Sequence, residues 1–247
     1  MTNESPFLDR EPIETARALD LLNQASIDLV GQMPYSSNAT FLVNLRHDDL
    51  VAQAIYKPVA GESPLWDFPP GLDRRERAAF VVSEALGWGL VPPTVQRDDL
   101  IHGPGSLQLF MPCVFEEHYF SLREASERFD PTFATIAAFD LVINNTDRKA
   151  GHCVLGTEDR IWAIDHGLAF HHEFKLRTVI WDFAGQSIPA AQLADLERFA
   201  GELPTELTDL LTSLERDALI TRVQALLGAG ELPHDDTGGR RYPWPLV

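Results

Sequence analysis

The chain has 247 residues, 45% hydrophobic and 23% charged, which excludes a disordered tail or a fibre and allows one large core or two small lobes around a cleft. Against 20 Lys and Arg stand 37 Asp and Glu, and the net charge of −17 repels phosphate backbones and anionic bilayers, so nucleic acid and membrane surfaces are not expected partners. No run approaches the roughly eighteen apolar residues of a membrane span, MTNESPFLDREP has no leader pattern, and Cys113 and Cys153 lack a metal-binding spacing; a cytoplasmic chain with reduced thiols and no integral membrane contact is expected.

In chain order, EPIETARALDLLN carries apolar residues at helical spacing, with Pro12 placed for a first turn. SIDLVGQ, TFLVNLR and LVAQAIYK have strand composition, and His47, Asp48 and Asp49 predict a hairpin turn between the last two. The proline-rich PVAGESPLWDFPPGLD predicts a loop; RRERAAFVVSEALGW predicts a helix apolar almost all round, hence buried on several sides. TVQRD and GSLQLFMP predict a second sheet segment.

Beyond Pro112 the composition turns helical, through SLREASERF and DPTFATIAAFDLVIN, with Asp130 as the expected N-cap and Pro131 in the first turn. NNTDRKAG predicts a loop, HCVLG and RIWAIDHG a pair of strands, and residues 189–228 two amphipathic helices, PAAQLADLERFAGEL and TELTDLLTSLERDALITRVQALLG. Trp66, Trp88, Trp162 and Trp181 are expected in the core, and His166, His171 and His172 on a solvated loop. The layout is α+β: a sheet-rich half over residues 11–112, a helix-rich half over 113–228 and a tail over 229–247.

Asp147 follows a long apolar helix and Asp165 ends an apolar strand, close enough in the chain for a hairpin to bring both carboxylates to one edge, where a divalent cation and a triphosphate are held in phosphoryl transfer. Lys57 ends a strand in the other half, and Glu76 opens the next helix. A strand lysine, a helix glutamate, an Asp-containing loop and a second Asp after a strand are the parts of a kinase. Taken singly, each has a plain structural reading: a snorkelling lysine, a first-turn glutamate, a solvated Asp147–Arg148 pair in a turn, a turn-capping Asp165.

AIYKPVAGESPLWDF, RRERAAFVVSEALGWGLVPPT, FDLVINNTDRKAGH and WAIDHGLAF, in that order, resemble the phosphatidylinositol 3- and 4-kinase-like superfamily over roughly residues 25–190. The resemblance is strongest to small actinobacterial kinase-like proteins and more distant to type II phosphatidylinositol 4-kinases and HipA-type kinases. It implies a two-lobed protein-kinase-like fold with ATP and a magnesium or manganese ion in the cleft. Lys57 would bind the α- and β-phosphates, Glu76 would orient it, Asp147 and Lys149 would serve catalysis, and Asp165 and His152 would hold metal. Ser36, Ser37 and Asn38 fall at the phosphate-covering turn, and Leu109, Phe110 and Met111 at the adenine-contacting hinge. The family's loop runs Asp-Arg-His-x-x-Asn; here Lys149 and His152 replace its His and Asn.

Three functions are thus open: an ATP-dependent kinase, a nucleotide-binding pseudokinase, and a metal-dependent hydrolase using Asp147, His152, Asp165 and His166. For a kinase, the acidic charge favours a protein or small-molecule acceptor over a lipid.

Overall fold

The computed structural model describes residues 9–34, 38–238 and 241–247. The elements in chain order are α1 (Thr15–Gln24), β1 (Ser26–Gln32), β2 (Phe41–His47), β3 (Leu50–Pro58), α2 (Leu72–Leu86), β4 (Thr94–Arg97), β5 (Gly105–Leu109), β6 (Cys113–Val114), α3 (Tyr119–Ala125), α4 (Asp130–Ile143), β7 (Cys153–Gly156), β8 (Ile161–Ala163), α5 (Ala190–Gly201), α6 (Leu207–Leu210) and α7 (Ser213–Ala229). This is an α+β fold of two lobes, an antiparallel sheet at the N-terminal side and helices at the C-terminal side.

The five-stranded sheet has the order β1-β2-β3-β5-β4. TVQRD and GSLQLFMP, the second sheet segment, join the same sheet as the first strands, because β5 pairs with β3 in the register Tyr56↔Leu107 and Lys57↔Ser106. The period of two sends Tyr56 and Leu107 into one core with Ala18, Leu21 and Leu22 of α1, and leaves Lys57 on the opposite face. α1 starts at Thr15 rather than near Pro12, since the Glu14 carboxylate accepts the Arg17 amide and caps the helix there.

A larger core lies in the C-terminal lobe, where Phe133, Ile136, Phe139 and Ile143 of α4 meet Leu219 and Val223 of α7. It includes Ala78, Val82 and Leu86 of α2, so that helix is shared by both lobes. A buried ion pair, Arg75 Nη2 to Glu215 Oε1 at 2.5 Å, and an exposed one, Arg77 Nε to Glu206 Oε1 at 2.6 Å, tie α2 to α7 and to the segment before α6. The long helix expected at 205–228 is broken at Leu211–Thr212: extended backbone at Thr212 and its reciprocal bonds with Glu215 form a capping box that starts α7 afresh. Asp130 is the first helical residue of α4, not its cap, and its carboxylate bonds Arg123 instead.

Trp66 is 96% exposed, contrary to expectation, while Trp162 is buried. A bridge between Leu65 and Phe68 makes a tight turn that sends Phe68 inward and Trp66 outward. The chain after α7 folds back: Leu232 is buried, Thr178 N–H donates to the Arg241 carbonyl at 3.0 Å, and Ala150 N–H donates to the Leu246 carbonyl at 2.8 Å. Among the described residues no helix is long and apolar enough to cross a membrane.

Candidate active site

Lys57 projects from β3 into the cleft between the lobes. Its ammonium bonds Glu76 Oε1 of α2 and lies 2.7 Å from Asp165 Oδ1 of the other lobe. Glu76 is buried, and its second oxygen accepts the His166 N–H at 3.0 Å, so one carboxylate links the strand lysine to the backbone beside Asp165. Loss of water opposes the charge on Lys57, but the two carboxylates outweigh it and hold the ammonium well above its usual pKa. Asp165 shifts the opposite way: the partial loss of water that would raise it is outweighed by Lys57, and the carboxyl, about half exposed, is held well below the usual range. Glu84, two turns further along α2, is exposed and takes no part.

Asp165 follows β8 with φ of +61°, a left-handed conformation that Asp tolerates better than most residues and that turns the chain sharply at the cleft. His152 Nε2 lies 3.4 Å from Asp165 Oδ2, and its Nδ1 lies 2.9 Å from the Asp147 carbonyl. Burial pushes the imidazole down to about 4, so the ring is neutral. A carbonyl only accepts, which places the single ring proton on Nδ1 and a lone pair on Nε2. Two acceptors 3.4 Å apart without a shared proton suit an intervening cation, and the donor pair of imidazole and carboxylate fits manganese better than magnesium. Among the described residues no three His, Cys, Asp or Glu side chains form a metal site by themselves.

Asp147 Oδ2 is 3.2 Å from Lys149 Nζ, and its N–H donates to Asn145 Oδ1 at 3.0 Å. Burial raises the Asp147 carboxyl to about 6 despite Lys149. Arg148, between them, is fully buried rather than a solvated turn residue. It pairs with Asp140 of α4 through Nε at 2.9 Å and donates to the carbonyls of His152 at 3.0 Å and Ile164 at 2.9 Å. This guanidinium joins α4, the loop bearing Asp147 and the strand end bearing Asp165.

His166 is buried beneath Arg148, with Nε2 at 2.7 Å from Nη2, and His171 is buried against Phe68; of the three histidines expected in solvent only His172 is exposed. Burial and then Arg148 hold His166 well below its usual pKa, so it stays neutral and can accept from the guanidinium.

Beside this polar centre lies an apolar cleft of about 220 Å³, lined by Met33, Ile55, Phe110, Met111, Val154 and Ile164 and reaching Lys57, His152 and Asp165. Leu109 borders the cleft but is packed in the core of the N-terminal lobe. Phe110 N–H donates to the Gln53 carbonyl at 2.9 Å, and the Phe110 carbonyl accepts from Arg10 at 2.9 Å. Ser36 and Ser37 lie outside the described residues. Asn38 borders a smaller pocket with Lys57, Glu62, Asp147 and Asp165, and its side-chain oxygen accepts the Ser63 N–H at 2.8 Å. Sequence reasoning missed Glu62, whose carboxylate accepts the amides of Gly71 and Leu72 at 3.1 and 2.8 Å and caps α2 from a loop.

Three solved structures share this architecture. The Golgi casein kinase with Mn/ADP bound has a TM-score of 0.56 at 16% identity over 94% of this chain and 80% of that one. The hydra Fam20 structure has a TM-score of 0.58 at 14% identity over 87% of each chain, and Helicobacter pylori proinflammatory kinase CtkA 0.51 at 10% identity over 85% of this chain and 94% of that one. The fold is therefore kinase-like. By sequence, the chain is 35% identical over 263 residues to Protein Rv2133c of Mycobacterium tuberculosis, a match covering 91% of this chain and 94% of the relative, and it belongs to that protein's family. No protein-family model matches the chain.

Proposed function

We propose that this chain is an ATP-dependent phosphotransferase of the phosphatidylinositol 3- and 4-kinase-like superfamily, acting on a protein or small molecule rather than a lipid. The observation that carries this reading is the Lys57 ammonium held between Glu76 of its own lobe and Asp165 of the other, at the inner end of an apolar cleft. A hydrolase has no use for that lysine. Lys57 binds the α- and β-phosphates and Glu76 orients it, while the base lies between Ile55 above and Val154 and Ile164 below, against Phe110 and Met111.

Asp165 and His152 would hold a divalent metal, which would offset charge on the phosphates. The Golgi casein kinase structure, with Mn/ADP, supports this nucleotide and metal chemistry. Asp147, its carboxyl raised to about 6 by burial, accepts the acceptor's proton, and Lys149 beside it faces the transferred phosphoryl group.

A pseudokinase that binds nucleotide without transferring phosphate is the second reading, favoured by Lys149 and His152 at the positions of the family's His and Asn. A thermal-shift titration with ATP and manganese or magnesium tests binding, and radiolabel transfer separates the two readings. Absence of stabilisation by ATP with either metal would sink both.

A further inference from the structure

Gln108 of β5 stands opposite Ile55 of β3, two residues from the Lys57↔Ser106 pair and so on the same sheet face as Lys57, about 7 Å along the strand. It borders the cleft with Ile55 and Phe110. Its surroundings fix which end of its amide is which. Thr94 Oγ1 lies 2.8 Å from the Pro92 carbonyl and 2.8 Å from Gln108 Nε2. The carbonyl can only accept, so the one hydroxyl hydrogen of Thr94 goes to Pro92, and Oγ1 meets Gln108 with a lone pair. Gln108 must therefore turn its NH₂ end to Thr94. Its Oε1 has no hydrogen-bond partner among the described residues, and it is the end left for an occupant of the cleft. The polar groups of Phe110, next along the cleft wall, are already bonded to Gln53 and Arg10.

We propose that Gln108 selects the base: Oε1 accepts a hydrogen bond from the 6-amino group of adenine, with Pro92 and Thr94 holding the amide in that orientation. This inference rests on the nucleotide-binding reading and adds the residue that selects the base and why it does. Guanine carries a carbonyl oxygen at position 6, so two acceptors would face each other. Turning the amide over to serve guanine would set Oε1 against Thr94 Oγ1, whose hydrogen is committed to Pro92. The selection is thus built by three residues, only one of which touches the base.

The test is calorimetric titration of the whole chain, with manganese, against ATP, purine riboside triphosphate, which lacks the 6-amino group, and GTP. Purine riboside triphosphate should bind roughly fivefold more weakly than ATP, and GTP roughly 10- to 100-fold more weakly. In Gln108→Leu the gap between ATP and purine riboside triphosphate should close, and in Thr94→Val, where the amide is free to turn, GTP should gain on ATP. Equal affinity of the unmodified chain for ATP and purine riboside triphosphate overturns the role of Gln108 and leaves the nucleotide reading standing. Failure of all three triphosphates to bind overturns both.

Discussion

Arg148 and Asp140 form an ion pair in which neither side chain is exposed, with Nε 2.9 Å from Oδ2 and Nη2 2.9 Å from Oδ1. Asn145 Nδ2 adds a further bond to the same carboxylate at 2.9 Å. A buried pair adds little over a packed apolar pair, but breaking one side leaves a charge without water or partner. Asp140→Asn should therefore cost about 3–5 kcal/mol, read from urea denaturation. A loss below about 1 kcal/mol would mean that the carbonyls of His152 and Ile164 suffice for Arg148.

Lys57→Met tests the phosphate-binding role, and ATP with manganese should no longer raise its melting temperature. The variant should also be less stable without nucleotide by about 1–3 kcal/mol, because Glu76 is buried and would lose its cation. An undiminished ATP shift in Lys57→Met would remove Lys57 from the site.

Much of the frame is legible in the sequence where local pattern decides the outcome. The β2–β3 hairpin follows from strand composition on either side of His47, Asp48 and Asp49, and Asp48 takes the positive φ the turn requires. The Lys57–Glu76–Asp165 contact spans 108 positions and becomes legible only through the ordered motifs. The Asp140–Arg148 anchor left a signal that reading by helix alone overlooks: Asp140 is the single acid within the apolar run FATIAAFDLVIN, where an unpaired charge is costly. Thr212-x-x-Glu215 is likewise a readable helix start inside what periodicity treats as one helix. Glu62 left none, since its partner amides lie nine and ten residues away across an irregular loop. Trp66 misled because side-chain type predicts burial only on average.

The Arg75–Glu215 pair gives the fold a pH dependence. Burial acts to raise the Glu215 carboxyl, but the Thr212 amide and Arg75 prevail and leave it below its ordinary 4.5. A carboxyl depressed by folding stabilises the native state above its unfolded value, and that contribution falls away as pH drops through the folded value. Urea midpoints should decline below about pH 4.5, and Glu215→Gln should flatten part of that decline while lowering stability at pH 7 by about 3–5 kcal/mol. An unchanged slope in Glu215→Gln would assign acid sensitivity to other carboxyls.

His152 is one of the two positions, with Lys149, where the chain departs from the loop it resembles, and the metal preference should show it. Manganese should support ATP binding better than magnesium, and His152→Asn, which supplies an oxygen ligand, should raise the response to magnesium. If His152→Ala binds manganese and ATP like the parent, the ring serves only to hold the Asp147 carbonyl, with which it shares the 2.9 Å bond.

Asp147 and Asp165 should separate by function. Asp165 faces Lys57 and His152, so Asp165→Asn should abolish the metal-dependent part of ATP binding. Asp147 faces Lys149 and is kept partly unhydrated, as a proton acceptor must be; Asp147→Asn should leave ATP binding in place and lower phosphoryl transfer by roughly 10²- to 10⁴-fold. Titrations with ATP, with and without manganese, and single-turnover transfer on the two variants measure the two effects independently. Identical behaviour of the variants would show that the carboxylates act as one metal-binding pair, and the proton would then need another acceptor.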